Sequence, residues 1–322
     1  MKNILFLCNA DAGWMGGVYY IRNMIFALLQ NEEAKNNLNI YVLTRSSVAD
    51  AFKDLKSDKE IHIIISDQLT LFRKIRKKLK KIWYVNVRKI EVHRGLLLNI
   101  VEDYKIDYIY PVQYREDKYA DKGIMWIPDF QHLHYPEYFQ KSELEDREKV
   151  FGYLACNHKK MVLSSNSARQ DYLKKYPQYA ENVYVIPFVS AIDSKIICED
   201  KVKVTQEKYK ISGRYFLVSN QFWKHKNHKA VLEALNYAKR QKNTDMLVVC
   251  TGCFNDYRDP AYTGGLKKYI ADNQLEDNFR VLGLIEREDQ LQLMKGSLAV
   301  IQPSLFEGWG TVVEDAKTLK KK

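Results

Sequence analysis

A chain of 322 residues is too long for one ordinary hydrophobic core, and 46% hydrophobic with 28% charged residues is the balance of a soluble globular protein, read here as two domains. No apolar run reaches about 18 residues, which excludes a helix that spans a membrane. The net charge of +11 asks for an acidic partner: nucleic acid, a nucleotide-bearing substrate or an anionic membrane surface.

The first apolar run, Ile4 to Cys8, is expected to form a buried strand. Polar Asn9 and Asp11 come directly after it with no small-residue cleavage site, so a signal peptide is not indicated and the cytoplasm is the expected compartment. Five scattered cysteines argue against a disulfide framework and agree with a reducing environment. Cys250 and Cys253 spell C-x-x-C, but no second pair or histidines stand at zinc-ligand spacing, so Cys250 reads as a buried strand end and no metal site is expected. Asp11 to Asn23, with Gly16 and Gly17, is expected to be a glycine loop entering a helix through Ile25 and Leu29. Such a junction closes a phosphate-facing floor, and adjacent glycines equally suit a plain turn; this is not the dinucleotide pattern G-x-G-x-x-G.

Asn39 to Thr44 and Ile61 to Ile65 read as strands. Between Leu71 and Trp83, Phe72, Ile75, Leu79, Ile82 and Trp83 share one helical face. Seven cations fill Arg73 to Lys81, among them Lys74, Lys77, Lys78 and Lys81. Two readings stay open: a helix lying on an anionic membrane, where each cation contributes on the order of 1 kcal/mol, or a solvated helix whose stripe packs on its own domain. No RNA- or DNA-binding motif accompanies the charge, so nucleic acid is not expected as a partner.

Val87 to Tyr104 reads as a helix and Ile106 to Pro111 as a strand. Met125 to Ile127 ends at Pro128, with Asp129, His132 and His134 just beyond. Helix Lys141 to Asn157, strand Lys160 to Ser167 ending in hydroxyls, helix Ala168 to Tyr176 and extended Val183 to Pro187 complete a first domain over residues 1–189. Residues 190–213, polar and lysine-rich, are expected as a connector, and residues 214–322 as the second domain. There, strand Tyr215 to Asn220 leads through Gln221 and Lys226 to a helix over Lys229 to Arg240. Strand Met246 to Gly252, helix Tyr262 to Asn273, strand and turn Phe279 to Ile285, and helix Glu288 to Met294 come next. An apolar run, Leu298 to Ile301, is expected as a buried strand. Gly308 and Gly310 break the pattern, and Val312, Val313, Ala316 and Leu319 resume it at helical spacing.

The N-terminus of that last helix exposes unpaired N–H groups and the positive end of a dipole, which suits a diphosphate. Glu307 and Glu314 put two carboxylates near this anion site. Carboxylates do not bind phosphate, so they are expected to face ribose and sugar hydroxyls. A strand–glycine–helix junction is also common in any α/β protein.

The run Ser304-Leu305-Phe306-Glu307-Gly308-Trp309-Gly310-Thr311-Val312-Val313-Glu314-Asp315-Ala316 resembles the donor-binding signature of retaining nucleotide-sugar glycosyltransferases of family 4, the group 1 type. The resemblance implies two Rossmann-like, doubly wound α/β domains facing a cleft, the GT-B fold. It assigns Glu314 to the ribose hydroxyls and Glu307 to the donor sugar and diphosphate, with Ser304, Gly308, Gly310 and Thr311 in the donor loop. Most members have seven residues between the glutamates; here there are six, Gly308 to Val313. Gly16 and Gly17 resemble the family's first glycine loop, Gly283 the turn that holds the base, and Lys226 the lysine that grips the diphosphate. Gln221 stands where an arginine is usual, and Pro128 where a histidine is usual, which leaves Asp129 and His132 as the first domain's catalytic candidates beside Glu307.

The resemblance further implies a retaining sugar transfer from a nucleoside-diphosphate-sugar to a glycan or lipid-linked acceptor, in cell-surface glycan or glycolipid assembly. The expected location is the cytoplasm or the inner membrane face, reached through Arg73 to Trp83. No cofactor beyond the donor is expected, and no D-x-D sequence occurs, so no metal either. Family members continue past the position of Lys322, which implies an incomplete second domain. Two rivals remain: an epimerase or phosphorylase on the same fold, and a non-catalytic membrane- or polyanion-binding protein on a decayed transferase scaffold.

Overall fold

The computed structural model describes residues 1–8, 15–53, 55, 61–67, 97, 99–112, 121–192, 197–242, 245–256 and 258–322. It divides into two α/β units, Met1–Pro128 with Glu148–Val189, and Asp129–Arg147 with Ser190–Lys322. The basic stretch with Arg73, Lys74, Lys77, Lys78, Lys81 and Trp83 lies outside the described residues.

In the first unit, β1 (Lys2–Cys8) is followed by α1 (Met15–Gln30), α2 (Glu32–Asn37), β2 (Leu38–Thr44), β3 (Ile61–Ile65), β4 (Tyr108–Val112) and β5 (Gly123–Ile127). Then come α3 (Lys141–Asn157), which belongs to this unit from Glu148 on, β6 (Met161–Leu163), α4 (Asn166–Lys175) and β7 (Val183–Val185). The seven strands lie in the order β3-β2-β1-β4-β5-β6-β7, and every pairing is parallel. A parallel sheet needs cover on both faces, which is why its strands read as continuous apolar runs. Val18, Ile21 and Ile25 of α1 join Phe6, Val42 and Trp126 of the strands in one core. Tyr20 stacks on Trp126 at 4.4 Å, and its hydroxyl bonds that of Tyr110. Burial pushes both phenols above their ordinary range.

The expectation of a glycine loop is corrected in part. Gly16 and Gly17 lie inside the first turn of α1, because Met15, Val18 and Ile21 already carry the helical apolar spacing. Residues 9–14 of that stretch lie outside the described residues.

The second unit holds α5 (Glu199–Lys208), β8 (Tyr215–Ser219), α6 (His228–Lys242), β9 (Leu247–Thr251), α7 (Pro260–Asp272), β10 (Phe279–Val281), α8 (Arg287–Gly296) and α9 (Thr311–Thr318). Its sheet runs β10-β9-β8, again parallel. Two corrections arise here. Residues 190–213 hold the helix α5, which is tied to α8 by Lys201–Glu288 at 2.8 Å and Lys208–Asp289 at 2.6 Å. Ile197, Tyr209 and Ile211 beside it pack into the core, so a stretch that reads as polar in sequence has an apolar side. Leu298 to Ile301 is not a regular strand: it makes a single parallel bridge, Leu217 to Val300. Its backbone still continues the ladder, with Leu298 N–H donating to Tyr215 O at 2.8 Å and Ile301 N–H to Leu217 O at 2.8 Å.

Candidate functional site

Three loops of the second unit leave the ends of its strands close together. After β8, Lys224–Lys226 forms a short 3-10 turn that ends on Asn227 at φ 57°, a left-handed conformation that asparagine tolerates. This delivers the chain into α6. The Leu305 N–H donates to His225 O at 2.8 Å and the Asn227 side-chain amide to Pro303 O at 3.2 Å, stitching residues 303–305 to that turn.

The stitching brings Lys226 Nζ to 2.6 Å from Glu307 Oε1, with side-chain exposures of 14% and 25%. Gln302 Nε2 donates to the same Glu307 oxygen at 2.6 Å and to Ser304 Oγ at 3.1 Å. Asn220 Nδ2 in turn donates to Gln302 Oε1 at 2.9 Å. Glu307 is therefore held by a cation and an amide, whose own orientation is fixed from the end of β8. Gln302 and Asn220 were missed in the sequence, where they are only the polar residues that close two apolar runs.

Just beyond, α9 begins after Gly310 with no side-chain cap. Within its first turn the Val313 and Glu314 N–H groups donate to Gly310 O at 2.9 and 3.1 Å, so the turn closes on its own backbone while keeping the positive end of the helix dipole. Glu314 lies in that turn, paired with Lys317 at 2.8 Å and 20% exposed. The indole N–H of Trp309, one residue before the cap, is buried with no hydrogen-bond partner among the described residues. Gly308, Gly310 and Thr311 belong to the link between the two glutamates; Thr311 N–H donates to Trp309 O at 3.0 Å.

The remaining candidates are spread over neighbouring loops and the first unit. Gln221 Oε1 accepts from Cys253 N–H at 2.8 Å, so its amide joins two loops at the strand ends. Gly283, at φ 75°, accepts from Gly252 N–H at 2.8 Å. Lys224 Nζ, the cation next to Lys226, is taken up by Asp259 at 3.0 Å. Asp129 accepts from Gln131 N–H at 2.9 Å and lies 3.9 Å from Arg147. His132 is 3% exposed and sits between the rings of Phe130 and Phe139, whereas His134 packs 5.4 Å from Phe306, the neighbour of Glu307. Tyr135 also reaches this loop, donating to Leu305 O at 3.3 Å. Gly16 and Gly17 belong to the first unit, as does a cavity of about 640 Å³ lined by Ile4, Phe6, Met24, Leu28 and Tyr110. That cavity contains none of the loop residues above.

Two histidines beside the lysine are neutral. His225 and His228 are 6% and 0% exposed, and burial, assisted by the charge of Lys226, pushes each down to about 3. His228 stacks on Phe222 at 3.9 Å and acts as an aromatic core residue. Lys226 therefore stands beside uncharged rings. Among the described residues, no three His, Cys, Asp or Glu side chains converge on a point that would hold a metal ion.

Two units of parallel α/β structure, the second carrying a lysine–glutamate pair beside an uncapped helix, define the GT-B fold class. A crystal structure of a glycosyltransferase from Rickettsia africae is similar, with 18% identity, TM-score 0.63, and 99% of this chain covering 78% of that one. So is Anabaena HepE in complex with UDP and glucose, at 14% identity and TM-score 0.59, with 100% of this chain on 79% of that one. WaaG, a glycosyltransferase involved in lipopolysaccharide biosynthesis, matches at 13% identity and TM-score 0.59, with coverage of 98% and 79%. No curated protein matches the chain in sequence. Residues 202–321 match the family model described as "Glycosyl transferases group 1". Over those residues the chain is similar to the group 1 glycosyl transferases.

Proposed function

We propose that the protein is a retaining glycosyltransferase that moves a sugar from a nucleoside-diphosphate-sugar to an acceptor hydroxyl, without a metal. The observation that carries this reading is the Lys226–Glu307 pair at 2.6 Å, set beside the uncapped N-terminus of α9 with Glu314 in its first turn. A cation together with the positive end of a helix dipole suits the charge that grows on a leaving diphosphate, and fixed groups cost little reorganisation during reaction. Glu307 occupies Lys226 until a diphosphate takes that role. The carboxylate then turns to the donor sugar, where it offsets positive charge at the anomeric carbon. Glu314 binds the ribose hydroxyls. Attack by the acceptor on the leaving-group face retains configuration, so no carboxylate nucleophile is assigned.

Gly283, Gln221, Ser304, Gly308, Gly310 and Thr311 line the donor in this reading, Asp129 and His132 assist from the segment after β5, and Gly16 and Gly17 are the candidates of the first unit. The similarity to HepE, whose structure contains UDP and glucose, supports a uridine or related donor. The similarity to WaaG supports a role in surface glycan assembly with a glycan or lipid-linked acceptor. The cytoplasm, or a membrane face reached through Arg73 to Trp83, is the proposed location; no described helix is long and apolar enough to cross a membrane.

Incubation with UDP-glucose and GDP-mannose in the presence of a chelator tests the reaction. With one donor, and methanol added as acceptor, slow release of the diphosphate is expected together with a methyl glycoside in the donor's anomeric configuration by NMR, and loss of release in Lys226→Ala. Inverted product, or release only with added metal, would overturn those two parts of the reading.

A further inference from the structure

The helix α9 is eight residues long, too short to hold its own conformation in water, so its place is set by what it is attached to. Its apolar attachment is small: Ala316 and Leu319 are buried, and Val312 partly so. On the same inner side lies a carboxylate. Asp315 is 4% exposed and bonded at both oxygens: Oδ2 is 2.6 Å from Arg287 Nη2, and Oδ1 accepts the Ser190 hydroxyl at 2.6 Å. Arg287 Nη1 continues to Gln290 Oε1 at 2.9 Å; the Gln290 amide donates to Ser219 Oγ, and Ser219 bonds Thr251 Oγ1 at 2.9 Å. A polar chain therefore runs from Ser190, where the chain enters the second unit, under α9 to the ends of β8 and β9.

Successive helical residues are about 100° apart, so fixing Asp315 fixes the direction of Glu314. Apolar packing alone permits a short helix to rotate or slide, whereas two directional bonds at opposite oxygens of one carboxylate do not. We propose that Asp315 is a positioning residue: with Arg287 and Ser190 it sets the rotation of α9, and so aims Glu314 at the bound nucleotide. The ligand named here rests on the function proposed above; the orientation of the helix does not.

The test uses the full chain with Asp315→Asn and Ser190→Ala, and with Ser190→Thr as the conservative rescue. Two readouts are taken: backbone hydrogen exchange across 311–319, and calorimetric titration with UDP and GDP. Faster exchange in 311–319 is expected for Asp315→Asn and Ser190→Ala, with exchange in β1 and α1 unchanged. Nucleotide affinity is expected to fall about tenfold in Asp315→Asn and about threefold in Ser190→Ala, and to return in Ser190→Thr. Ser190→Ala leaves the ion pair intact and carries both readouts should Asp315→Asn fail to fold. Unchanged exchange across 311–319 in both variants would overturn the proposal. So would a loosened helix with undiminished nucleotide affinity. A wild-type chain that binds neither nucleotide would defeat the functional reading, while exchange alone would still decide whether Asp315 orients the helix.

Discussion

At the scale of single residues, Lys226 matters most. It is the cation paired with Glu307, and its neighbours His225 and His228 are held neutral, so neither ring adds to its charge. Lys226→Ala leaves Glu307 as a part-buried carboxylate without its cation. Loss of diphosphate affinity by at least about tenfold is expected, read by calorimetry, because a charge-assisted contact is removed. The histidines also make stability depend on pH. Their folded values, about 3, lie below the ordinary 6.5, so the unfolded chain binds the extra protons. Their contribution is complete above about 6.5 and is lost as pH falls from there toward 3. Urea titrations at pH 7 and pH 5 should show a lower midpoint at pH 5, and His228→Leu should flatten the difference; equal midpoints in the wild type would contradict neutral burial of these rings.

At the scale of elements, the strand ends of the second unit depend on one glycine. Gly252 has φ 122°, and a Cβ there would lie 2.2 Å from the Asn220 carbonyl oxygen. Gly252→Ala must push apart the loops after β8 and β9, and with them the Asn220–Gln302 contact that orients Glu307. A destabilisation on the order of 3 kcal/mol is expected, measured by denaturant unfolding, together with weaker nucleotide binding. Elements were the most legible feature of the sequence. β2 begins within a residue of its expected start at Asn39, β3 matches Ile61 to Ile65, and α9 starts where Gly310 breaks the apolar pattern. Long apolar runs and glycine breaks are local signals, and a parallel sheet amplifies them. Local patterning failed where partners from elsewhere decide. Gly16 and Gly17 read as loop because glycine is a poor helix former, yet the apolar spacing around them draws both into α1. The lysines of 190–213 suggest a linker, but Lys201 and Lys208 are tied to acids 87 and 81 residues away. Likewise, Glu307 and Glu314 were visible as a pair, while Gln302, Asn220 and Asp315 owe their roles to contacts that no spacing reveals.

At the scale of the whole molecule, the two units are built alike but carry different chemistry. The second holds the lysine–glutamate pair and the glutamate helix, and the matched family segment lies within it. A nucleoside diphosphate should therefore stabilise the second unit selectively. At a concentration about one hundred times its Kd, stabilisation by about 2.7 kcal/mol is expected. Hydrogen exchange should show it as added protection in β8, α6 and α9, with little change in β1 to β3. Equal protection of both units would place the ligand elsewhere.

Central to the proposed function is a nucleotide bound beside α9 through Glu314. Calorimetric titration of the full chain with UDP and with GDP, without metal and with Glu314→Ala in parallel, tests it most directly. Saturable binding of one nucleotide, weakened at least about tenfold by the substitution, is the predicted result. Binding that Glu314→Ala leaves untouched, or no binding of either nucleotide, would contradict it.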